Sequence, residues 1–539
     1  MHKKNRKQGL MNGIIALMFS QVIIKILGLA YKWYLTNKEG FGDRGNAIYS
    51  AGFSIYALLL TLSSTGVPNA IAKLTSEHIA KGDYRGAHRI FKIALITFSS
   101  LGLLGTFILF FGAKTIANNF LYLPEAELCL VSLSPAILFV SIISVFRGYF
   151  NGRGDIKAIA NSQTMEQLCK TLLTFIVVEI IAMISHCNTK LMAAGANLAT
   201  TLATITGFMY MYYYYMSYRK DFSKEIVSSK NYPIKSIIGT VKKILSVSMP
   251  MSLGAIVGSV SRNIDSATVV RGLQNFLTKE QATIQYGILC GKVDTIVSLP
   301  MSFNIALTTA LIPTISSART RNRTDELEKR ISFSLLVTML IGLPCMIGII
   351  IFANPILQIL FPNASQGTMI LQISALSIIF TVLEQTTNGA LQGLGKIISP
   401  AIFLLIGVIV KLICNLILIP IPEIGILGAS ISTGVCHAIA FLLSYKLLKK
   451  QVKLQLGLKK WILKPIIATF FMGICSYFIY ILTFTYIKIK IIAIVLALIS
   501  AVIVYILSIF TLKIFTKEEM CMIPFGTKIY IFLQKMHIY

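Results

Sequence analysis

Residues 491–513 read IIAIVLALISAVIVYILSIFTLK and carry no charged side chain before Lys513. A helix needs about 20 such apolar residues to cross the ~30 Å hydrocarbon core of a bilayer. Backbone polar groups in lipid must be hydrogen-bonded within their own segment, so we predict that each such run is a helix. The chain contains fourteen of these runs, at residues 10–35, 46–72, 89–113, 127–150, 157–184, 191–217, 243–270, 283–317, 331–353, 367–391, 399–420, 424–446, 462–486 and 491–513.

The composition of the 539 residues agrees with a membrane protein. The chain is 55% hydrophobic and only 13% charged, whereas soluble domains contain roughly 25% charged residues. This balance excludes a soluble enzyme, a disordered protein and a secreted disulfide scaffold. The segments between the predicted spans average about thirteen residues, which leaves no room for a separate catalytic domain.

The sequence lacks the common enzyme motifs. It contains no P-loop lysine motif, no H-E-x-x-H, no G-x-S-x-G and no paired Cys/His ligand set. Residues 40–45 match the G-x-G-x-x-G pattern of dinucleotide sites, but they lie in a predicted outer loop without the required strand–helix frame. We therefore predict a protein that is not an enzyme and that uses neither a cofactor nor a metal ion.

The formal net charge is +29, and the placement of the basic residues indicates how the chain is oriented in the membrane. With the N-terminus placed in the cytoplasm, the inner segments hold 36 Lys and Arg residues and the outer segments hold 9. Cytoplasmic loops carry such an excess of basic residues in membrane proteins. We predict a multi-pass protein of the cell membrane with both termini in the cytoplasm, and no nucleic-acid partner.

Three short motifs occur twice in the same order, which indicates an internal repeat. The paired segments are residues 67–71 and 312–316, 151–154 and 392–395, and 195–200 and 428–433. The fold class that we predict is an all-α polytopic membrane protein with two pseudo-symmetric six-helix lobes plus two C-terminal helices. The N-lobe is residues 1–220, the C-lobe is 221–450, and spans 13 and 14 with the tail are 451–539. Such halves commonly hold a substrate site at their interface.

Charged side chains inside predicted spans are the most informative residues, because each lone one costs ~2.5–3.5 kcal/mol at the centre of a helix. Glu166 and Lys170 stand one turn apart in the favourable order, so we predict an ion pair within their helix. Arg262 and Asp265 leave two interpretations open, a structural pair or a functional site. Lys25 has no acidic residue in its span, and Lys292 cannot face Asp294 two residues along.

Lys25, Arg262 and Lys292 belong to spans 1, 7 and 8, which meet at the lobe interface of a six-plus-six repeat. We predict a cationic, water-filled cavity for an anion; phosphate suits it, since Arg binds phosphate bidentately and Lys as a point charge. The alternative is that these cations form structural salt bridges. The predicted substrate-binding residues are Lys25, Arg262, Lys292 and Asp265, with Lys411, Asn415, Glu384 and Arg147 as secondary candidates.

Four further motifs carry a family resemblance. They are GNAIY at residues 45–49, STGVPNAIAK at 64–73, FRGYFNG at 146–152 and LQGLGK at 391–396. On these the chain resembles the multidrug/oligosaccharidyl-lipid/polysaccharide exporter (MOP) superfamily over essentially its whole length. Within it, the chain is similar to the MurJ-type lipid II flippases and to the stage V sporulation protein B group.

The resemblance implies a flippase that moves lipid II, an undecaprenyl-diphosphate-linked peptidoglycan precursor, from the inner to the outer leaflet by alternating access. The family's central cavity is cationic and is lined by spans 1, 2, 7 and 8. Lys25 and Arg262 are cations on spans 1 and 7 and therefore match this lining. Some members bind sodium partly through the eleventh span. Here Lys411 lies beside Asn415 in that region. Because the ammonium group of Lys411 could take the place of the sodium ion, we expect function that does not depend on sodium.

Two other functions stay open at this point. One is a flippase for teichoic-acid or capsular polysaccharide repeat units linked to lipid. The other is a multidrug antiporter of the same superfamily, which the cationic excess disfavours because sites for cationic drugs are acidic. The expected partners are an undecaprenyl-diphosphate-linked glycolipid and membrane lipids, with cell-wall synthesis proteins as further candidates.

Overall fold

The fold was analysed in a computed structural model, which describes residues 20–21, 23–64, 66–229, 236–321, 324–452, 454, 457, 459–521, 530 and 534. These residues are almost entirely helical, and no β-strand occurs among them. Eleven of their helices are long and apolar enough to cross a membrane, and one bent pair brings the number to twelve. The all-helical prediction is therefore confirmed.

Fourteen spans are predicted, and the first and the eighth are the two that are not among these twelve. Residues 10–19 of the first span lie outside the described residues, and residues 23–37 form a helix, α1. The eighth span is interrupted by a π-helical turn, Ile288–Val293. In the seventh span, Ile237–Met249 and Ser252–Leu273 meet at 58°. The sequence has a proline at position 250, and proline cannot donate the backbone hydrogen bond of a regular helix.

The chain divides into two compact units, of which the first comprises residues 1–292 and 415–426. Within this unit α5 packs on α2, α3, α4 and α7, and α9 packs on α2 and α3. Beyond α1, its helices are Gly42–Ser64 (α2), Gly66–Ala80 (α3), Tyr84–Thr115 (α4), Glu127–Gly152 (α5), Ile156–Ile184 (α6), Thr189–Ser217 (α7), Arg219–Val227 (α8), Ile237–Leu273 (α9) and Lys279–Gly287 (α10).

The second unit comprises residues 293–414 and 427–539. Its helices are Asp294–Thr320 (α11), Thr324–Leu360 (α12), Thr368–Gly393 (α13), Ile398–Leu418 (α14), Leu427–Gln451 (α15), Lys464–Ile487 (α16), Lys490–Thr511 (α17) and Lys517–Cys521 (α18). The last four residues of α14, from Asn415 onward, belong to the first unit. Here α13 packs on α11, α12 and α15, while α16 and α17 pack on each other and on α12.

The division by contacts differs from the predicted lobe boundary at residue 220. Helices α9 and α10 follow that boundary in sequence, yet both pack on α2. The lobes, 1–220, 221–450 and 451–539, were argued from the sequence repeat and stay a prediction.

The repeated motifs make the same kind of close helix crossing in each unit. On α5, a β-carbon at Gly148 would lie 2.8 Å from the carbonyl oxygen of Pro68 and 2.9 Å from Cβ of Ile71 on α3. On α13, a β-carbon at Gly393 would lie 2.8 Å from Cβ of Ile315 on α11. Glycine is needed at both crossings because the two helix backbones approach too closely for a side chain.

Candidate functional site

Two of the predicted cations lie exposed on helices of the first unit. Lys25 on α1 is exposed and forms no ion pair or hydrogen bond with any described residue. Arg262 on α9 is also exposed, and its Nη2 donates to Ser259 Oγ at 2.9 Å. Arg262 lies eleven residues before the end of α9 at Leu273, or about 16 Å along the axis at 1.5 Å per residue. Both cations are therefore exposed on helices of this unit, and Arg262 lies well inside a helix that can span the membrane.

Asp265, one turn after Arg262, is held by the end of α14 within the same unit. The amide nitrogen of Asn415 donates to Asp265 Oδ1 at 3.0 Å and to Thr268 Oγ1 at 2.9 Å. Asn415 thus bridges Asp265 and Thr268. Among the described residues no group of three or more His, Cys, Asp or Glu side chains could hold a metal ion.

Lys292 requires a correction, because it does not lie on a wet surface in this structure. Its side chain is 0% exposed, and its Nζ lies 2.9 Å from Oδ2 of Asp43, which is 9% exposed. Asp43 stands in α2, 249 residues away in sequence. Neighbours along its own helix do not reveal this partner, because Asp294 at two residues cannot face Lys292 and Asp43 lies on another helix.

The turn that brings Asp43 to Lys292 is the G-x-G-x-x-G look-alike. Gly40 and Gly42 adopt positive φ angles of 76° and 50°, which favour glycine. The backbone carbonyl of Asp43 also packs so closely on Gly287 of α10 that no β-carbon fits there. Next to it, Arg44 pairs with Glu125 at 2.7 Å and with Glu280 at 3.1 Å. The motif thus anchors the start of α2 by ion pairs to Glu280 on α10, to Lys292 in the turn after α10 and to Glu125 just before α5.

The predicted pair between Glu166 and Lys170 is wrong. Glu166 Oε2 instead accepts from Nη2 of Arg147 on α5 at 2.7 Å, and the same guanidinium donates to Ser162 Oγ at 2.9 Å. Lys170 is 8% exposed, with its Nζ 4.9 Å from the ring centroid of Tyr31 and 4.6 Å from that of Phe53. Arg147 on α5 lies close enough to Glu166 to pair with it, and a guanidinium binds a carboxylate more strongly than an ammonium does.

A third buried lysine of the first unit, Lys32, lies near the end of the first predicted span. It lies within α1 at 8% exposure, over the ring of Tyr49 at 4.7 Å. Its Nζ also donates to Asn46 Oδ1 at 3.4 Å and to Ser50 Oγ at 3.3 Å. The first unit therefore buries two ammonium groups on aromatic faces, which attract cations through the ring quadrupole.

The second unit holds the remaining candidates, Glu384 and Lys411. Lys411 on α14 is 2% exposed. Glu384 on α13 is buried, and its Oε2 lies 2.9 Å from Nδ1 of His437 on α15. Sequence analysis did not single out His437, although a lone histidine inside an apolar span is a signal that could have found it.

The second unit also has an apolar cavity of about 670 Å³ beside α16. Its lining comes from α12, α13 and α16 and includes Ile347, Gln372, Phe470 and Tyr477. Side chains of this kind accommodate hydrocarbon rather than a charged group.

The family of the chain follows from comparison with known proteins. A family model described as "Polysaccharide biosynthesis protein" matches residues 10–319, which is more than half of the chain. The chain belongs to this family. A second model, MatE, matches residues 291–417. The resemblance to the MOP superfamily is thereby confirmed, and the chain is a multi-pass membrane transporter rather than an enzyme.

Three curated relatives of the chain come from Bacillus subtilis. "Stage V sporulation protein B" is 24% identical, with 85% of this chain and 87% of the relative covered. "Uncharacterized membrane protein YabM" is 27% identical, with 98% of each chain covered. "Lipid II flippase MurJ" is 23% identical, with 82% of each covered.

Solved structures show the same fold. "Lipid II flippase MurJ, inward closed conformation" matches with a TM-score of 0.66 at 16% identity, covering 92% of this chain and 98% of that one. An inward-facing multidrug resistance transporter of the MATE family matches with a TM-score of 0.65 at 16% identity, covering 81% and 98%.

Proposed function

We propose that this chain is a flippase for lipid II, the undecaprenyl-diphosphate-linked precursor of peptidoglycan. It moves the precursor from the inner to the outer leaflet by alternating access, with a cationic cavity receiving the diphosphate. The relative named as a lipid II flippase and the description of the matching family as a polysaccharide biosynthesis protein support a lipid-linked saccharide as the substrate class.

The observation that carries the proposal is the exposure of Lys25 and Arg262 on α1 and α9 of the first unit. A cation at membrane depth is costly unless it meets water, another charge or a ligand. An anionic headgroup that enters from the inner leaflet supplies such a ligand, and a guanidinium and an ammonium are the groups that recognise a diphosphate.

The physical problem that such a transporter solves is confined to the headgroup. A diphosphate-linked sugar cannot cross hydrocarbon unaided, whereas the polyprenyl chain is soluble in it. The apolar cavity beside α16 offers surface for that chain. The membrane potential acts on the charges that move, at ~2.3 kcal/mol per charge per 100 mV.

A flippase for teichoic-acid or capsular repeat units is a second candidate, favoured by the description of the matching family model. The same headgroup chemistry serves both substrates. A multidrug antiporter is favoured only by the MatE match and is disfavoured by the exposed cations, because a cationic drug would be repelled.

Flipping by the purified protein in vesicles distinguishes these functions. We expect lipid II to be flipped, and Lys25→Ala and Arg262→Ala each to lower the initial rate by about tenfold, which corresponds to an increase of ~1.4 kcal/mol in the activation free energy. A lipid-linked teichoic-acid precursor, tested in parallel, identifies the second candidate if it is flipped faster.

The matched control is Lys114→Ala, which removes an exposed lysine from the last turn of α4. It should flip lipid II at the wild-type rate. Wild-type rates in both Lys25→Ala and Arg262→Ala would contradict the cationic-site mechanism. Absence of any flipping by the wild-type protein would contradict the function itself.

A further inference from the structure

Helices α11 and α12 of the second unit enclose a small pocket where the one ends and the other begins. Its volume is about 240 Å³. On the α11 side the lining positions follow Thr314 by three, four and seven residues, so they share one face of the helix. The six lining residues, all within the second unit, are Thr314, Ser317, Ala318, Arg321, Glu326 and Arg330.

Two guanidinium groups and one carboxylate give this pocket its charge. Glu326 Oε1 accepts from Nε of Arg330 at 3.1 Å and from Nη2 of the same residue at 2.6 Å. Arg321 is exposed, and its guanidinium forms no ion pair or hydrogen bond with a described residue. The lining therefore carries one net positive charge, which belongs to Arg321.

The hydroxyl groups of the pocket differ in what they have to offer. Thr314 Oγ1 already donates to the backbone carbonyl of Leu311 at 2.7 Å. Ser317 is exposed, and its Oγ forms no hydrogen bond with a described residue. Ser317 and Arg321 therefore present a hydroxyl donor and a guanidinium donor from the same face of α11.

The other cations nearby are engaged outside the pocket. Arg319 donates to a backbone carbonyl at the end of α13, and Lys329 pairs with Glu518 at 2.7 Å. The N-terminal end of α12 favours an anion, whereas the C-terminal end of α11 disfavours one. These two dipole effects oppose each other, so the guanidinium groups decide which charge the pocket prefers.

The polar lining is not required by the packing of the two helices. With the offset of 245 residues between the first pair of repeated motifs, Ser317 and Arg321 correspond to Ala72 and Ser76 on α3. Helix α3 still packs on α4 in the first unit, as α11 packs on α12 in the second. Because the helix pair forms without these groups, a structural role does not account for Ser317 and Arg321.

The size and the donors of the pocket point to a small oxyanion. Its volume is below the ~300–1,000 Å³ of pockets for drug-sized ligands, so a whole sugar or drug does not fit. A guanidinium matches the paired oxygen atoms of a phosphate group. The pocket also lies on the predicted cytoplasmic side, where basic pockets between membrane helices bind the headgroups of anionic lipids.

We propose that this pocket binds a phosphate group, supplied either by the headgroup of an anionic phospholipid or by free inorganic phosphate. Arg321 and Ser317 hold the phosphate from α11, and Arg330 holds it from α12. The bound group thereby links the end of one helix to the start of the next. This site goes beyond the proposed function and is separate from Lys25 and Arg262, which belong to the first unit.

Binding is tested without transport, in the variant Lys25→Ala, Arg262→Ala, so that the proposed substrate site does not contribute. Calorimetric titration with inorganic phosphate, in detergent free of phospholipid, tests the free anion. Native mass spectrometry after addition of phosphatidylglycerol or phosphatidylcholine tests the headgroup. We expect one saturable site for inorganic phosphate, for phosphatidylglycerol in preference to phosphatidylcholine, or for both, and the arm that responds identifies the source.

Substitutions in the same background place the site in the pocket. We expect Arg321→Gln to weaken binding by about tenfold or more, the effect of losing one hydrogen bond to a charged group. Ser317→Leu keeps both arginines and fills the pocket, so it should weaken binding to a similar extent. The matched control is Lys396→Gln, which removes one exposed positive charge from the same unit and should leave the affinity unchanged.

The absence of saturable binding in both arms overturns the proposal, as does wild-type affinity in both Arg321→Gln and Ser317→Leu. An equal loss in Lys396→Gln also overturns it, because binding then follows the net charge and not the pocket. Both pocket residues are exposed, so these variants should fold, and circular dichroism checks this. A protein that binds phosphate here but flips no lipid contradicts the proposed function and leaves this site standing.

Discussion

Lys292 and Asp43 illustrate how single charges are held inside this helical chain. Their side chains are 0% and 9% exposed and their charged atoms are 2.9 Å apart. Arg147 and Glu166 form a comparable pair at 2.7 Å with greater exposure. Burial removes water from a charge, so each such residue depends on its partner.

Breaking the buried pair should therefore destabilise the protein strongly. We expect Lys292→Met to lower the free energy of unfolding by about 3–5 kcal/mol, because Asp43 is left as an uncompensated buried charge. The double variant Asp43→Asn, Lys292→Met should be less destabilised than the sum of its single variants. Unfolding in detergent, followed by circular dichroism, measures all three.

The control for this prediction is Lys38→Met. Lys38 pairs with Glu179 at 2.6 Å, but both side chains are partly exposed, at 22% and 38%. A pair of that kind contributes about 0–1 kcal/mol. Equal losses of stability in Lys38→Met and Lys292→Met would contradict the importance of the buried pair.

At the scale of helices, close crossings at glycine organise both units. Gly148 on α5 meets α3, and Gly393 on α13 meets α11, in each case within a distance that real β-carbons do not reach. These glycines belong to, or lie beside, the motifs that recur with an offset of 241 residues, 151–154 and 392–395. Each unit therefore has a close glycine crossing in or beside one of the repeated motifs.

Adding one methyl group at these crossings should force the helices apart. We expect Gly148→Ala and Gly393→Ala each to destabilise the protein by about 1–3 kcal/mol, the usual cost of overpacking. Gly258→Ala and Gly348→Ala are the matched controls, since nothing lies within 4 Å of a β-carbon at either position.

Both control substitutions should be neutral or stabilising by up to about 1 kcal/mol, because alanine is the better helix former. Thermal unfolding of the four purified variants gives the comparison. Destabilisation of the controls to the same extent would show that the crossings are not special.

At the scale of the whole molecule, the orientation in the membrane follows from charge. The inner segments hold 36 basic residues and the outer ones hold 9, so the positive-inside rule predicts both termini in the cytoplasm. The topology remains a prediction, and it fixes which side of the membrane each loop faces.

Labelling of single cysteines tests that orientation. In a background without the nine native cysteines, we expect Lys114→Cys and Lys190→Cys to react with an impermeant maleimide on intact cells. Lys396→Cys should react only after permeabilisation. The reverse labelling pattern would contradict the predicted topology.

The local chemistry of the sequence determined the helical class, nearly all the span positions, the repeat and the family, because hydropathy and glycine motifs act over short stretches of chain. It also led to the hypothesis that Lys25 and Arg262 face water, and both side chains are exposed in the structure. Only tertiary structure decided the partners of the other charges: Asp43 for Lys292, Arg147 for Glu166 and His437 for Glu384. Those pairings join different helices, and the distance between two helices depends on how the whole chain packs.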